Sequence, residues 1–383
     1  MGKIVCIALG LGLLFTASAS AGDKPDADLA ANAALKYWQA FSTMPKLDDK
    51  FWSTDVGAMP LDAKTKELVA SAAYSLEQLH YGAALPRCAW AISLDEDGIR
   101  TLLPECQAAR NLTALARLRM RLRFEEGKTA EAVDDAVDAL TLGRHASRDG
   151  TLIAVLVGVA IEQGVTDTLA ADLPRLDAAA LKKLAARLEA LPPDYTAADA
   201  IRIGEERAGL DWFIRQVKAT TDKEKLLNVL DEMTFSEGVG SKAKAKAFLE
   251  ECGGTAEGVV KYAEQTRPLY LAAAQALALP PGEFEKAWDA LNKKAAGNPV
   301  SHLLFPAVNH VRQAEDRLLT RRALRKAALA ILIDGPDAAK TQRDPFGDGP
   351  FEYIPFDGGF ELRSKFKAQD KQVSLTVGRR KEK

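Results

Sequence analysis

His80, His145, His302 and His310 are the only imidazoles among 383 residues, and no two of them stand at a spacing that holds a metal ion. A zinc-binding helix of the His-Glu-x-x-His kind needs two histidines four positions apart, so that both rings project from one face. The nearest pair, His302 and His310, is separated by Pro306. Ser241 and Lys244 have the Ser-x-x-Lys spacing of an acylated serine, but the Lys-Thr-Gly and Ser-Asp-Asn segments that complete such a site are missing. The sequence has no Gly-rich phosphate loop leading into a helix and no Gly-x-Ser-x-Gly turn, and it implies no cofactor.

Carboxylates remain. Glu205 and Glu206 are adjacent on an expected helix, where successive side chains point about 100° apart, so the two do not converge on one substrate. Glu162 is the better candidate for catalysis. It follows an apolar run at 152–161, so burial is expected, and a buried charge must be paired or shift its pKa. Unpaired in a deep polar pocket, it would be an acid–base group. Paired with arginine in a dry interior, it would hold helices together. The expected partners are Arg117, Arg119, Arg121 and Arg123.

The cysteines carry a different chemistry, which depends on compartment. Lys3, an apolar run at 4–15 and Ala19-Ser20-Ala21 read as a secretory signal peptide over 1–21, with the mature chain beginning near Gly22. The run is too short to span a bilayer comfortably, so no retained membrane span is expected. Export to the periplasm or the exterior leaves Cys88, Cys106 and Cys252 where disulfides persist. Cys88 and Cys106 flank a loop with the turn sequence Asp95-Glu96-Asp97-Gly98, and a bond between them is expected. Unstrained, it would add on the order of 3 kcal/mol. Cys252 is expected to be a buried or helix-end thiol.

The elements that must position these groups are mostly helices. With 47% hydrophobic residues, 27% charged residues and a net charge of −2, the chain belongs to the soluble globular class and gives no electrostatic case for nucleic acid. In 127–143, Val133, Ala136, Val137 and Leu140 form an apolar stripe, with Glu131, Asp134, Asp135 and Asp138 mostly outside it. The segment 117–124 alternates like a strand, but Leu, Met and Arg favour helix, and helix is expected. Antiparallel packing then sets its arginines beside the acids at 131–138. Further helices are expected near 196–219, 242–251, 255–278, 282–296 and 300–333.

From Asp344 onward the period changes to two. Strands are expected at 351–356, 359–364 and 372–377, with a turn at Asp357-Gly358-Gly359. The predicted fold is mainly α: antiparallel helical hairpins, as an irregular α-solenoid or bundle, with a small C-terminal antiparallel β sheet. Its parts are helical regions at 22–193 and 194–343 and a β element with a basic tail at 344–383.

Three resemblances accompany this reading. "RFEEGKTAEAVDDAVDAL" resembles the helical hairpin of tetratricopeptide-type repeats in its small residue between helices and its Ala positions. "CAW…LP…R…L…EGKTAEA…LGRH…GTLI", with the ending, is similar to secreted bacterial α-helical proteins with no assigned activity. The wording "DPFG–PFEY…GFELRS" is similar to the ending of type II secretion pseudopilins, which implies a calcium loop. Asp344, Asp348 and Asp357 are the oxygen donors such a loop would use. Each sits beside Pro or Gly, where Asp commonly serves turns, and the tail is basic. A metal-free cap is therefore expected, with Asn tolerated at 344 and 348.

These observations predict an exported binding or scaffold protein with a protein or cell-envelope partner. The alternative is an enzyme whose site is assembled from distant helices around Glu162.

Overall fold

The computed structural model describes residues 29–48, 51, 54–233, 241–304, 308–368 and 370–380, with Ser241 and residues 302–304 described in backbone only. The expected signal peptide, the Gly22 cleavage point and the side chains of Ser241 and His302 lie outside the described residues. The protein is mainly helical and ends in a small antiparallel sheet.

Several of the N-terminal helices start where a side chain can accept from an orphan backbone N–H. Asn32 caps α1 (Ala33–Thr43) and Asp62 caps α2 (Ala63–Ser71); α3 (Ala73–Ala83) follows at once. Pro104 opens α4 (Pro104–Glu125), where its missing N–H costs nothing. Gly127, at φ +74°, supplies the left-handed turn into α5 (Thr129–Ala146). Thr151 caps α6 (Leu152–Ala170), and Asp177 caps α7 (Ala178–Glu189). Among the described residues, α6 alone is long and apolar enough to cross a membrane. It is instead surrounded by α4, α5 and the last helix, with 67% of its apolar window buried. Ile153, 58% exposed, and Ala160 are exceptions to the burial expected on every side of its apolar run.

The second helical group begins with a capping box between Thr196 and Asp199. From α8 (Ala197–Ala200) the backbone continues as a π-helix, Ile201–Asp211, into α9 (Trp212–Lys218). Next come α10 (Lys223–Met233), α11 (Ser241–Glu251), α12 (Ala256–Leu277), α13 (Pro281–Ala295), α14 (Pro299–Leu304) and α15 (Val308–Asp334). The sequence reading omitted α10, although its signals were present. Leu226, Leu230 and Met233 repeat on one face and are buried, and Asp222 accepts from Lys225 N at 2.9 Å.

Two apolar cores result. One gathers α1–α7 with the far half of α15 and the sheet. The other gathers α8–α14 with Val308 and Val311 at the start of α15, and with Leu152 and Val155 at the start of α6. Helices α6 and α15 therefore run from one core into the other.

The sheet has the order β1 (Glu352–Phe356), β2 (Gly359–Ala368), β3 (Lys371–Gly378), all antiparallel. Phe356 pairs with Gly359, leaving the two-residue turn Asp357-Gly358, with Gly358 at φ +90°. Phe351, Phe360, Leu362, Leu375 and Val377 are buried in the same core as Leu324, Ala327 and Ala328 of α15. That contact supplies the apolar surface a three-stranded element lacks alone.

Candidate functional site

The α6–α15 crossing, where the cores meet, opens into a cleft of about 570 Å³. Glu162 of α6 lies on its floor, and Arg144 of α5 stands beside it. Asp194 and Tyr195 come from the α7–α8 linker. Arg312, Glu315, Asp316, Leu319 and Arg322 line it from α15, spaced three or four apart so that they share one face. The α12–α13 corner, 277–281, closes the other wall.

Glu162 is not held by the arginines of α4. Arg322 grips it from both oxygens, Nε to Oε1 at 2.8 Å and Nη2 to Oε2 at 2.6 Å. Arg325 Nη2 donates to Oε1 at 3.2 Å, and Arg144 Nε lies 3.3 Å from Oε2, close enough for charge attraction but not aligned as a hydrogen bond. Arg322 reaches on to Asp194 at 2.6 and 2.8 Å, and Arg144 also pairs with Asp194. Burial alone would raise the Glu162 pKa. The Arg322 bonds and the charges of Arg322, Arg325 and Arg144 reverse that and hold it down to about 2.

Glu315, on the same cleft, shows the opposite balance. Its Oε1 accepts from Ala197 N at 2.7 Å, capping α8. Burial outweighs that bond and the nearby Arg312 charge, and pushes the carboxyl up to about 7. Arg312 pairs with Asp316 at 3.0 Å and donates to Leu277 O and Leu279 O, both at 2.8 Å, so it ties the end of α12 to α15.

The α4 arginines have other work. Arg119 and Arg123 meet Asp135 Oδ1 at 2.6 and 2.7 Å. Arg117 Nε donates to Thr168 Oγ1 at 2.8 Å, and buried Arg121 donates to Val56 O and Met59 O at 2.6 and 2.8 Å. Asp135 and Asp138 are therefore buried rather than outside the α5 stripe. Each has a partner there, Asp138 accepting from His80 Nδ1 at 2.8 Å. His145 Nδ1 bonds Tyr37 OH at 2.8 Å in the core, and burial holds its pKa down to about 4. Glu205 Oε1 accepts from Leu152 N at 2.7 Å, whereas Glu206 pairs with Arg267 at 2.6 Å, so the adjacent glutamates do diverge.

Two further sequence expectations need correction. Cys88 and Cys106 are free thiols, not a disulfide. Cys106 is on the first turn of α4 with Sγ beside Glu105 and Asp149, whereas the Cys88 thiol lies beside the Ala34 backbone of α1. A short loop between two cysteines does not aim their side chains at each other. Tolerance of Asn at position 344 rested on a turn role for Asp344, in which Asn serves as readily. Asp344 is buried, accepting from Phe346 N at 3.0 Å, Ser364 Oγ at 2.8 Å and Lys365 N at 2.6 Å. The register of β2 on β3 shifts between Arg363 and Lys367, and the Asp344 carboxylate binds the backbone inside that bulge. Asp348 and Asp357 are exposed. Among the described residues, the three aspartates do not form a cluster of ligand atoms; Glu105, Cys106 and Asp149 do.

Sequence reasoning missed Arg322 and Arg325 as partners for Glu162, because 160 or more residues separate them. The usable signal was the set of arginines at 312, 317, 321, 322 and 325, more than the surface of one long helix needs. Comparison with known proteins finds no matching family model, no matching curated protein and no matching solved structure, so any function must be argued from this geometry.

Proposed function

We propose that the protein is an exported binding module, and that the cleft between its two cores receives a segment of a protein or cell-envelope partner. The observation that carries this reading is the state of Glu162. With three guanidinium groups around it and a pKa near 2, it neither donates nor takes a proton at neutral pH. It works as a latch between α5, α6 and α15. What remains open to a ligand is Leu319, 46% exposed, over the mostly buried apolar lining of Val155, Val159 and Leu318 and beside a charged rim. An apolar wall with a few placed polar groups suits an extended or helical peptide.

Selection of a displayed peptide library on the wild-type protein and on Leu319→Asp tests this. Support would be peptides that bind the wild type and lose tenfold or more in affinity to the variant. Failure to obtain any peptide sensitive to Leu319 would refute the cleft as the site.

A second reading, an enzyme, has one observation in its favour. Glu315, near 7, can exchange a proton at neutral pH and lines the same cleft as Glu162, which stays ionised near 2, and carboxylates held apart in this way can divide the roles of proton donor and charge stabiliser. Mass spectrometry of the selected peptides after long incubation separates the readings. Intact recovery fits a binding module; cleavage abolished by Glu315→Gln would establish the enzyme.

A further inference from the structure

Glu105, Cys106 and Asp149 bring one thiol and two carboxylates together away from the cleft, with ligand atoms all within 4.8 Å of one another. Cys106 Sγ lies 3.7 Å from Glu105 Oε1 and 3.8 Å from Asp149 Oδ2. In a tetrahedral zinc site, bonds of about 2.3 Å to sulfur and about 2.1 Å to oxygen set the sulfur–oxygen separation at about 3.6 Å. Both observed separations are within a few tenths of that value.

Two elements hold the three ligands. Glu105 and Cys106 occupy the first turn of α4. Asp149 lies in the turn between α5 and α6. Its Oδ1 accepts from Thr151 N at 2.8 Å and Thr151 Oγ1 at 2.9 Å, which leaves Oδ2 facing the thiol. A second observation is independent of these distances. Glu105 is 0% exposed, and its Oε2 has no hydrogen-bond partner among the described residues. A buried carboxylate oxygen with no donor is costly unless a proton or a cation neutralises it.

We infer that Glu105, Cys106 and Asp149 form a binding site for one divalent transition-metal ion of the zinc type. One thiolate with two carboxylates suits a borderline ion rather than a hard one such as calcium. Three protein ligands leave a fourth position for water. The site joins the start of α4, in the first core, to the turn that leads into Leu152, which packs in the second. Glu205 bonds Leu152 N from the π-helical segment, so an ion here would brace the junction of the two cores. The role is structural and independent of what the cleft binds.

The test uses reduced, metal-free protein expressed from Gly22 and titrated with Co(II). One equivalent should bind, with a thiolate-to-cobalt charge-transfer band and the intense visible bands of tetrahedral cobalt. Zn(II) should displace the cobalt and raise the melting temperature. Cys88→Ser/Cys252→Ser, which keeps Cys106 as the sole thiol, should retain the band; Cys106→Ser and Glu105→Gln should lose it. Absence of the thiolate band in the wild type would overturn the site and leave a proton shared between Glu105 and Asp149 as the neutralising charge. Loss of the band in Cys88→Ser/Cys252→Ser, or its survival in Cys106→Ser, would overturn it equally. The sole-thiol variant decides the matter even if Cys106→Ser fails to fold.

Discussion

Replacing Glu162 with Gln keeps the side chain's shape and removes its charge, and the structure fixes what should follow. Arg144, Arg322 and Arg325 lose the carboxylate they share; Arg144 and Arg322 retain Asp194, and Arg325 retains Thr166 Oγ1 at 2.9 Å. Removing one partner from a buried ion pair costs about 3–5 kcal/mol, because the opposite charge stays buried. The pKa supplies a second measure. Held near 2 when folded against an ordinary 4.5, the ionised carboxylate contributes about 3 kcal/mol at neutral pH by linkage. A depressed folded pKa stabilises above the unfolded value and loses that effect as pH falls through the folded one. The cost of Glu162→Gln should therefore be constant above about pH 5, fall below half near pH 3 and approach zero under pH 2. Urea unfolding of both proteins between pH 8 and pH 3 measures it. A cost under about 1 kcal/mol at pH 7, or one that does not decline toward pH 3, would show that Glu162 is not the latch described.

Glu315 predicts the reverse slope. Its folded pKa near 7 exceeds 4.5, so the folded state binds the extra proton and loses stability as pH rises from about 4.5 to 7. Glu315→Gln, which keeps an oxygen for Ala197 N, should be more stable than wild type by about 1–3 kcal/mol at pH 8 and equal to it at pH 4, read from urea midpoints. Asp344→Asn should cost about 1–3 kcal/mol by leaving a donor in the β2 bulge unpaired, whereas exposed Asp348→Asn should stay within about 0.5 kcal/mol; thermal unfolding compares them. Arg119→Ala should cost about 1.5–3 kcal/mol, not the small loss of a surface pair, because Asp135 is only 1% exposed and keeps Arg123 alone as its guanidinium partner. A loss below about 0.5 kcal/mol would place that pair in solvent.

Local rules were enough to read the architecture. Residues 117–124 alternate like a strand, yet Leu, Met and Arg carried them into α4, because intrinsic propensity acts within a few residues. The Thr196–Asp199 capping box and the Asp357-Gly358 turn were legible for the same reason: every atom involved is encoded within four positions. Tertiary structure alone decided the rest. Charge at Glu162 predicted a partner but not which arginine, since Arg322 and Arg325 reach it only because α15 crosses α6. The bracketing loop suggested that Cys88 and Cys106 would join, but helix α4 turns one thiol toward Asp149 while the other lies beside α1. Asp344 reads as a turn residue from its neighbours and becomes a buried acceptor only because a bulge twenty residues later presents Ser364 and Lys365 to it. Sequence fixes the chemistry a side chain can offer, but burial and long-range packing determine which partner accepts it and therefore whether the group catalyses, binds or holds the fold together.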